Sequence, residues 1–594
     1  MRSETKTCQN CKDSFVIDAS DFAFYTKMSV PVPTFCPLCR AQRRMAWRNE
    51  SSLFKRKSDY SGKEIFSAFA PDVPVKVYEK EVWSSDAWDA LTYGRDYSFS
   101  RPFFEQFRDL LRSVPLKNLN LVNAVNSDFC NNATDPKNCY LIFNSKGAED
   151  CMYGNGFAHT KDCVDTSNVG KCERCYESFW LTNCSNTIFS MQCEASYNLL
   201  FCKNCIGCND CFGCVGLRKK SYYVFNKQVT KEEYQKRVKE FELNSFKKLE
   251  EVKKKVFNFW LQFPNKYIEG YQNVNVSGDY ISHSKNVRDS FLVREGENLR
   301  YCQYVQELPG SKDCYDYTAW GDGNELLYEC SACGIATSSN KFCYNVQEGS
   351  HHVEYSYMCA NSSYLFACVG LRKKHYCVFN RQYSKEEYEK LVERIKTHMN
   401  DMPYRDIRGR EYRYGEFFPI ETSPFAYNDT LAHEHFPLTK EKAETEGYAF
   451  REDKTRDYKI TKASEDLPDR IEDVADSIVN EVISCEHKGE CNDGCATAFK
   501  IIPNELQFYR KMKLPLPRLC FRCRLRRRLE WRNPLELFNR ACGCAGAASL
   551  NNVYKNTVNH SHGASPCLVT FQTSYAPDRP EIVYCEQCYN VEVA

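Results

Sequence analysis

Cysteine recurs at a fixed interval through the first half of the chain, in segments rich in Asn, Gly, Tyr and Phe. Two registers repeat every 21 residues, the first made of Cys130, Cys151, Cys172, Cys193 and Cys214, the second of Cys163, Cys184 and Cys205. A fixed period of about 20 residues is typical of solenoids, in which each position lies above its equivalent on the next coil. The spacing therefore predicts a β-solenoid with two inward cysteine ladders.

A looser pattern of the same kind returns after Ile268. Its cysteines alternate short and long gaps, at Cys302, Cys314, Cys330, Cys343 and Cys359. We expect longer coils here, of 28–29 residues, as the spacings from Cys302 to Cys330 and from Cys314 to Cys343 indicate. Both segments carry the motif Cys-Val-Gly-Leu-Arg-Lys-Lys, at residues 214–220 and 368–374, so we interpret them as two copies of one solenoid.

Each solenoid copy runs into a helix start with a capping box, Thr230-Lys-Glu-Glu233 and Ser384-Lys-Glu-Glu387. From Lys231 to about Phe263, apolar residues recur at helical spacing while Lys and Glu fill the other face. The pattern predicts an amphipathic helix that covers an open end or flank of the solenoid. The alternative is a basic helix that binds a partner.

The two ends of the chain repeat each other. Residues 8–60 match residues 491–544, at a constant offset of 484 from Cys11 and Cys495 onward that includes the Trp-Arg-Asn triplets at 47–49 and 531–533. We therefore predict a mainly β protein with α-helices, in which two cysteine-rich β-solenoid segments are flanked by duplicated zinc-ribbon or treble-clef-like modules, with long amphipathic helices after each solenoid.

The expected division has eight parts. In chain order they are a zinc-binding module with an Arg-rich helix (1–60, module 1), a degenerate second zinc-type module and connector (61–120), solenoid copy 1 (121–228), an amphipathic helix (229–265), solenoid copy 2 (266–383), a capping helix and charged linker (384–480), a second zinc-binding module (481–540, module 2) and a further C-terminal zinc module (541–594).

Composition narrows the chemistry. The 594 residues include 35 cysteines, and the net charge is only +2, so no global field favours nucleic acid or a membrane. The chain opens on a polar segment and contains no apolar run long enough to span a bilayer, so we expect a cytoplasmic protein without membrane contact. In a reducing compartment, paired cysteines indicate metal ligands or packed thiols rather than disulfides.

Tetrahedral zinc needs four deprotonated ligands, and two Cys-x-x-Cys knuckles supply them. We expect about three zinc sites, formed by Cys8, Cys11, Cys36 and Cys39, by Cys491, Cys495, Cys520 and Cys523, and by Cys542, Cys544, Cys585 and Cys588. In the second set, Cys485 or His487 could replace Cys491. Near the third set, His560, His562 and Cys567 are either extra ligands or exposed loop residues.

The third set has no counterpart in the N-terminal half. The aligned positions there are Ser58, Tyr60, Glu79 and Val82. All four ligands are missing together, as expected if they act as one site.

A basic stretch follows the second knuckle of each module. Its arginines are Arg40, Arg43, Arg44 and Arg48 in module 1 and Arg524, Arg526, Arg527, Arg528 and Arg532 in module 2. Guanidinium groups bind phosphate in bidentate fashion and stack on bases, so these segments predict a nucleic-acid surface, with RNA favoured over a specific DNA site. A protein-binding surface and a purely structural set of ion pairs are the alternatives.

No catalytic motif stands out. The run Cys202, Cys205, Cys208, Cys211 and Cys214 has spacing similar to an iron–sulfur run, but packed thiols explain it better. Parallel β-helices also host polysaccharide-cleaving enzymes, and Asp162, Asp165, Asp313 and Asp316 could serve as carboxylates on an outer face.

Several motifs carry a family resemblance. They are Cys36-Pro-x-Cys39-Arg-x-Gln-Arg-Arg44, Trp47-Arg-Asn-Glu50, Tyr93-Gly-Arg-Asp96, Ser100-Arg-Pro-Phe-Phe-Glu-Gln-Phe107 and Tyr575-Ala-Pro-Asp-Arg-Pro-Glu581 with Tyr584-Cys-x-x-Cys588. The chain resembles uncharacterised large zinc-ribbon, cysteine-rich proteins of reduced-genome candidate-phylum bacteria. The resemblance implies a bacterial, cytosolic, zinc-containing protein and supplies no activity.

The leading hypothesis is a non-enzymatic zinc-containing protein that binds RNA or a ribonucleoprotein through the arginines after the knuckles. The alternatives are a protein-assembly scaffold and a β-helix enzyme that acts on a polysaccharide, each with structural zinc.

Overall fold

A computed structural model of the chain describes residues 3–306, 309–319, 321–452, 458–491 and 494–593. Two β-solenoids form its centre, and the predicted fold class is confirmed. Copy 1 contains the strands Leu121–Val122, Asn131–Thr134, Tyr140–Lys146, Met152–Ala158, Val164–Gly170, Tyr176–Thr182, Met191–Glu194, Tyr197–Leu200, Asn209–Phe212, Ser221–Val224 and Lys227–Gln228. Copy 2 contains Gly270–Tyr271, Val274–Ser282, Lys285–Arg294, Gln303–Val305, Glu325–Tyr328, Ser338–Lys341, His351–Glu354, Ser363–Phe366, His375–Val378 and Arg381–Gln382.

The coil of copy 1 is 12 residues long, and the predicted period of 21 is wrong. Met152 pairs in parallel with Val164, and Val164 pairs with Tyr176. At every third residue the backbone adopts the left-handed conformation and forms a corner of the coil, as at Asp135 (φ 52°) and Asn138 (φ 53°). Buried cysteines also fall on every third position. Two inward cysteines can therefore stand any multiple of three apart, and 21 is one such multiple.

Copy 2 follows the same plan less regularly. Phe291 pairs with Gln303, whereas the next bridges link Gln303 to Thr318 and Thr318 to Ser331, which makes its coils 12, 15 and 13 residues long. The predicted coil of 28–29 residues is therefore two coils.

Many inward side chains of this short coil are small, although Phe157 and Leu181 share the interior with the cysteines, and cysteine fits because its thiol also bonds to the backbone. Cys184 Sγ donates to the carbonyls of Thr182 and Cys193, both at 3.4 Å. Burial raises the pKa of Cys151 and of Cys163 well above the usual thiol value, so these thiols stay protonated and can donate.

The cysteines from 202 to 214 make the same bonds. Cys202 Sγ donates to the carbonyls of Leu200 and Cys211, both at 3.5 Å. Among the described residues, the groups of convergent metal ligands include none of this run. These bonds are the ones that the packed thiols make elsewhere in copy 1.

The helix predicted from Lys231 to Phe263 is two helices, Lys231–Glu240 and Phe246–Trp260. The break falls at Ser245, which caps the second helix by accepting from Lys248 N (3.2 Å) and donates to Asp469 (2.6 Å). Copy 2 is followed by the single helix Lys385–Asp401, whose Ser384 and Glu387 form both bonds of the capping box.

Short elements complete the chain. Module 1 has strands Glu4–Thr7 and Ser14–Ile17 and helices Ala19–Lys27 and Pro37–Met45, and module 2 has strands Ile483–Ser484 and Ala498–Phe499 and helices Pro503–Met512 and Phe521–Leu529. The N-terminal ribbon has strands Phe54–Lys57, Glu64–Ser67 and Val77–Tyr78 and helix Lys80–Trp83, while the C-terminal ribbon has strands Phe538–Ala541, Thr570–Thr573 and Ile582–Tyr584 and helix Glu586–Val593.

The connectors carry the remaining α-helices and strands of the described residues. They are helices Phe103–Ser113, Leu431–His435 and Lys440–Thr445 and strands Leu116–Lys117, Pro264–Lys266, Tyr404–Arg405 and Glu411–Tyr412. Among the described residues, no helix has both the length and the apolar character needed to cross a bilayer.

Candidate metal centres and the docked arginine helices

In module 1 the four predicted ligands converge. The Sγ atoms of Cys8, Cys11, Cys36 and Cys39 all lie within 4.8 Å of one another. The backbone N of Cys36 donates to Cys8 Sγ at 3.2 Å, and Asn10 Nδ2 donates to Cys39 Sγ at 3.3 Å. Such bonds favour the thiolate form that a metal ion requires. The pKa of Cys8 is lowered, first by hydrogen bonds from the thiols of Cys36 and Cys39, whereas hydrogen bonds to Cys36 and Cys8 raise the pKa of Cys39.

Module 2 corrects one predicted ligand. Its four-thiol group is Cys485, Cys495, Cys520 and Cys523, all buried. Cys520 N donates to Cys485 Sγ at 3.3 Å, the same bond that Cys36 makes to Cys8. Cys485 therefore takes the place of Cys491, as the sequence had left open. Cys491 instead belongs to a three-ligand group with His487 that shares Cys523.

The C-terminal ribbon also differs from the prediction. Two groups of four ligand atoms converge there, one made of Cys542, Cys567, Cys585 and Cys588 and the other of Cys544, His560, His562 and Cys588. The predicted set of Cys542, Cys544, Cys585 and Cys588 is thus divided between two groups. The residues of the insertion, considered earlier as extra ligands or exposed loop, converge on these groups.

The N-terminal ribbon shows what replaces a metal site. Ser58 and Glu79, which align with Cys542 and Cys585, are hydrogen-bonded to each other through their side chains. Cys542 and Cys585 are also in direct contact, since Cys585 N donates to Cys542 Sγ at 3.2 Å. A side-chain hydrogen bond therefore closes the N-terminal ribbon at the position where the C-terminal ribbon has thiols.

The arginine helix of module 1, Pro37–Met45, starts with proline at its first position, where the missing N–H costs nothing. Arg40 and Arg44 are four residues apart and therefore lie on one face. That face docks on copy 2. Arg40 Nε donates to Asp316 at 2.9 Å, and Arg44 NH1 bonds to Glu329 at 3.0 Å.

Arg43 and an aromatic stack complete this interface. Arg43 bridges Glu329 (2.6 Å) and Glu416 (2.9 Å) with its two terminal nitrogens. Phe24 stacks on Tyr315 of copy 2, with ring centroids 3.8 Å apart. Burial alone would lower the pKa of Arg43, but attraction to Glu329 and then Glu416 more than offsets it, so its pKa lies above the usual value.

The arginine helix of module 2, Phe521–Leu529, docks on copy 1 in the same way. Arg524 and Arg528, the equivalents of Arg40 and Arg44, both bond to Asp165, at 2.6 and 2.7 Å. Arg524 also pairs with Glu505 at 3.3 Å. The N-terminal module therefore holds the second solenoid, and the C-terminal module holds the first.

This crossed docking corrects the predicted nucleic-acid surface. Seven of the nine arginines are at most 8% exposed, namely Arg40, Arg43, Arg44, Arg48, Arg524, Arg528 and Arg532. A phosphate cannot reach a guanidinium that is covered and already paired with carboxylates or other buried groups. Arg526 bonds to the carbonyls of His433 and Glu434, and Arg527, which is exposed, pairs with Glu250 at 2.9 Å.

The four aspartates considered as enzyme carboxylates belong to the same interfaces. Asp165 and Asp316 have side chains that are 0% exposed beneath the arginine helices. Asp162 pairs with Lys511 (3.3 Å), and Asp313 pairs with Lys27 (3.1 Å). These contacts give all four a docking role and remove the basis for placing catalytic carboxylates there.

A groove of about 550 Å³ lies between the two solenoid copies. One wall is a corner ladder of copy 1, with one residue from each coil, formed by Asn144, Gly156, Asn168, Trp180, Gln192 and Asn204. The other wall comes from copy 2 and includes Tyr271, Arg294 and Tyr304. Six lining side chains are Lys or Arg and three are Glu. Arg48 and Glu50 pair with each other, and the other five cations outnumber the other two Glu, which leaves the groove cationic.

Glu269 lines this groove, and the pKa of its carboxyl group is raised. Burial raises its pKa to about 7, repulsion from Asp279 adds to the shift, and Lys203 and Lys266 oppose it. The groove therefore gains a negative charge as the pH rises through neutrality.

No family model and no curated protein matches the chain. Among solved structures, one match is a "putative acetyltransferase" from Desulfovibrio desulfuricans G20, with 9% identity over 45% of this chain and 68% of that chain. Its TM-score of 0.10 is too low to support a shared fold or function.

Proposed function

We propose that this protein is a non-enzymatic, zinc-containing scaffold that binds single-stranded RNA in the groove between its two solenoids. The crossed docking of the arginine helices is the observation that carries the proposal. Each module is joined to the solenoid copy that is distant in sequence, so the two docked modules fix the relative position of the two copies. The width of the groove then depends on both modules.

Zinc suits the four-thiol groups, because it is a tetrahedral, redox-inert ion for which four thiolates form a closed structural site. Each such ion would tie together the two cysteine pairs of its module. Loss of zinc is expected to loosen the arginine helices and with them the groove.

The chemistry of the groove favours RNA over the earlier arginine surface. Its surplus of Lys and Arg suits a phosphate backbone, and Trp180 and Tyr271 offer ring faces for bases. Side-chain amides such as Asn168 and Asn183 can bond to base edges or sugar hydroxyls. An acidic polysaccharide shares the charge but not the flat bases, so the aromatic residues distinguish these two ligands.

Fluorescence anisotropy with a single-stranded RNA oligonucleotide at several salt concentrations tests the proposal. We expect Lys171→Glu to weaken binding about tenfold, because one phosphate contact is lost. The slope of log affinity against log salt concentration should become shallower by about one. Trp180→Ala should weaken binding to RNA but not to a polyanionic sugar. Lys227→Glu, an exposed lysine outside the groove, is the matched control.

The pH dependence adds a separate check. Binding should weaken as the pH rises through about 7, because Glu269 becomes charged in the groove. Glu269→Gln should remove this step. Groove variants that bind RNA as the wild type does would contradict the proposal, and a preference for the sugar that Trp180→Ala leaves unchanged would favour the polysaccharide.

A further inference from the structure

We infer that the C-terminal ribbon binds two divalent metal ions that share the Sγ atom of Cys588. Cys588 belongs to both four-ligand groups of this ribbon, and within each group all ligand atoms lie within 4.8 Å of one another. Seven side chains supply the donors, and they are Cys542, Cys544, His560, His562, Cys567, Cys585 and Cys588. This inference is independent of RNA binding.

The hydrogen bonds of the histidines orient their free nitrogens as ligands. His562 Nδ1 lies 2.7 Å from the carbonyl of Ser565, which can only accept, so Nδ1 carries the proton. In the neutral ring Nε2 is then the nitrogen with a free lone pair, and it lies 3.4 Å from Cys588 Sγ. In the metal-bound form, His562 would therefore bind through Nε2.

His560 is oriented by a buried carboxylate. Its Nε2 lies 3.0 Å from Glu592 Oε1, which leaves Nδ1 as the ligand atom. Glu592 is itself held by Tyr554 OH at 2.9 Å and by Thr557 Oγ1 at 2.9 Å. A carboxylate behind the histidine is the arrangement that fixes tautomer and ring orientation at metal sites.

Donor number and charge agree with two ions rather than one. Two separate tetrahedral ions need eight donor atoms, and the ribbon reaches that number with seven side chains if one thiolate bridges. In the metal-bound form all five thiols would be thiolates, any protons they carry passing to solvent, and both histidines would bind as neutral ligands. The resulting centre has two divalent cations and five thiolates, a net charge of −1. Asn556 Nδ2 donates to Cys544 Sγ at 3.2 Å and stabilises one of these thiolates.

The test is the metal content of the full chain, measured by elemental analysis and native mass spectrometry. The double variant His560→Ala/His562→Ala should hold one ion fewer than the wild type, since the four-thiol site remains. His352→Ala, an exposed histidine outside these groups, should hold the wild-type number. Equal metal content in the double variant and the wild type would overturn the inference.

Cadmium NMR of the cadmium-exchanged wild type tests the bridge without relying on a variant. Two resonances should split each other through the shared sulfur, and both should change in the double variant while resonances from the other modules stay fixed. Two unsplit resonances, or one resonance from this ribbon, would contradict the shared thiolate.

Discussion

The two arginine helices have the same sequence plan but different surroundings. Arg43 of module 1 has a side chain that is 0% exposed and bridges Glu329 and Glu416. Its equivalent Arg527 has a side chain that is 46% exposed and pairs with Glu250. The role of an arginine therefore depends on the residues against which its helix docks and not on its position in the module.

The partner differs because a helix lies against copy 1. The coil after Asp316 carries Glu329, which turns to Arg43, and the coil after Asp165 carries Glu177. Glu177 instead pairs at 3.1 Å with Lys253 of the helix Phe246–Trp260. That helix takes the second carboxylate of copy 1, so Arg527 turns towards solvent.

The largest effect on stability is expected at Arg43. Arg43→Ala leaves Glu329 and Glu416 short of a buried partner and should lower the free energy of unfolding by about 4 kcal/mol. Arg527→Ala should cost no more than about 1 kcal/mol, because the pair is half exposed. Urea unfolding of both variants checks this, and equal losses would remove the distinction between the two helices.

Asp165 should rank next. It accepts from both Arg524 and Arg528, so Asp165→Asn leaves two buried guanidinium groups with a weaker acceptor and should cost about 3 kcal/mol. Asp162→Asn, one corner away, is the matched control, since it loses only a partly exposed pair with Lys511. A control loss as large as that of Asp165→Asn would mean that the interface depends on net charge rather than on the buried pairs.

The two four-thiol groups should also release metal at different rates. Cys11 is exposed, whereas all four thiols of the module 2 group are buried. A chelator should therefore remove the module 1 ion at least about tenfold faster, because its ligands open to solvent with less local unfolding. A colorimetric chelator assay should show this fast phase in the wild type and not in Cys11→Ser. A single release rate would oppose the prediction.

The smallest effect is expected at the outer lysines. Lys27 and Lys511 each pair with one solenoid aspartate while more than half exposed. Replacing either lysine with alanine should change the free energy of unfolding by less than about 0.5 kcal/mol. Thermal unfolding checks both, and a clear loss at one end only would reveal a further difference between the interfaces.

Features that depend on neighbouring residues could be predicted from the sequence. The knuckles at Cys8 and Cys36, the duplicated modules and the helix starts at Thr230 and Ser384 all follow from local spacing. The coil length could not be predicted, because an inward position occurs every third residue and the cysteines occupy only some of them. The spacing between cysteines therefore gave a multiple of three residues and not the length of the coil.

The role of the arginines depends on partners far away in sequence. An arginine face that packs on carboxylates has the same pattern as one that meets phosphate, and Arg40 and Asp316 are 276 residues apart. The regular spacing of Asp162 and Asp165 beside Asp313 and Asp316 was the available signal. The repeat could not show whether His560, His562 and Cys567 are metal ligands, since these residues have no counterpart in the N-terminal ribbon.

Hydrogen–deuterium exchange of Cys36→Ser, which removes one ligand from the module 1 group, tests the crossed docking most directly. Exchange should become faster in copy 2 around residues 315–319 and 321–341, where the released arginine helix was docked. Copy 1 around residues 152–182 should keep its wild-type protection, because module 2 still covers it. Faster exchange confined to copy 1, or spread equally over both copies, would contradict the crossed arrangement.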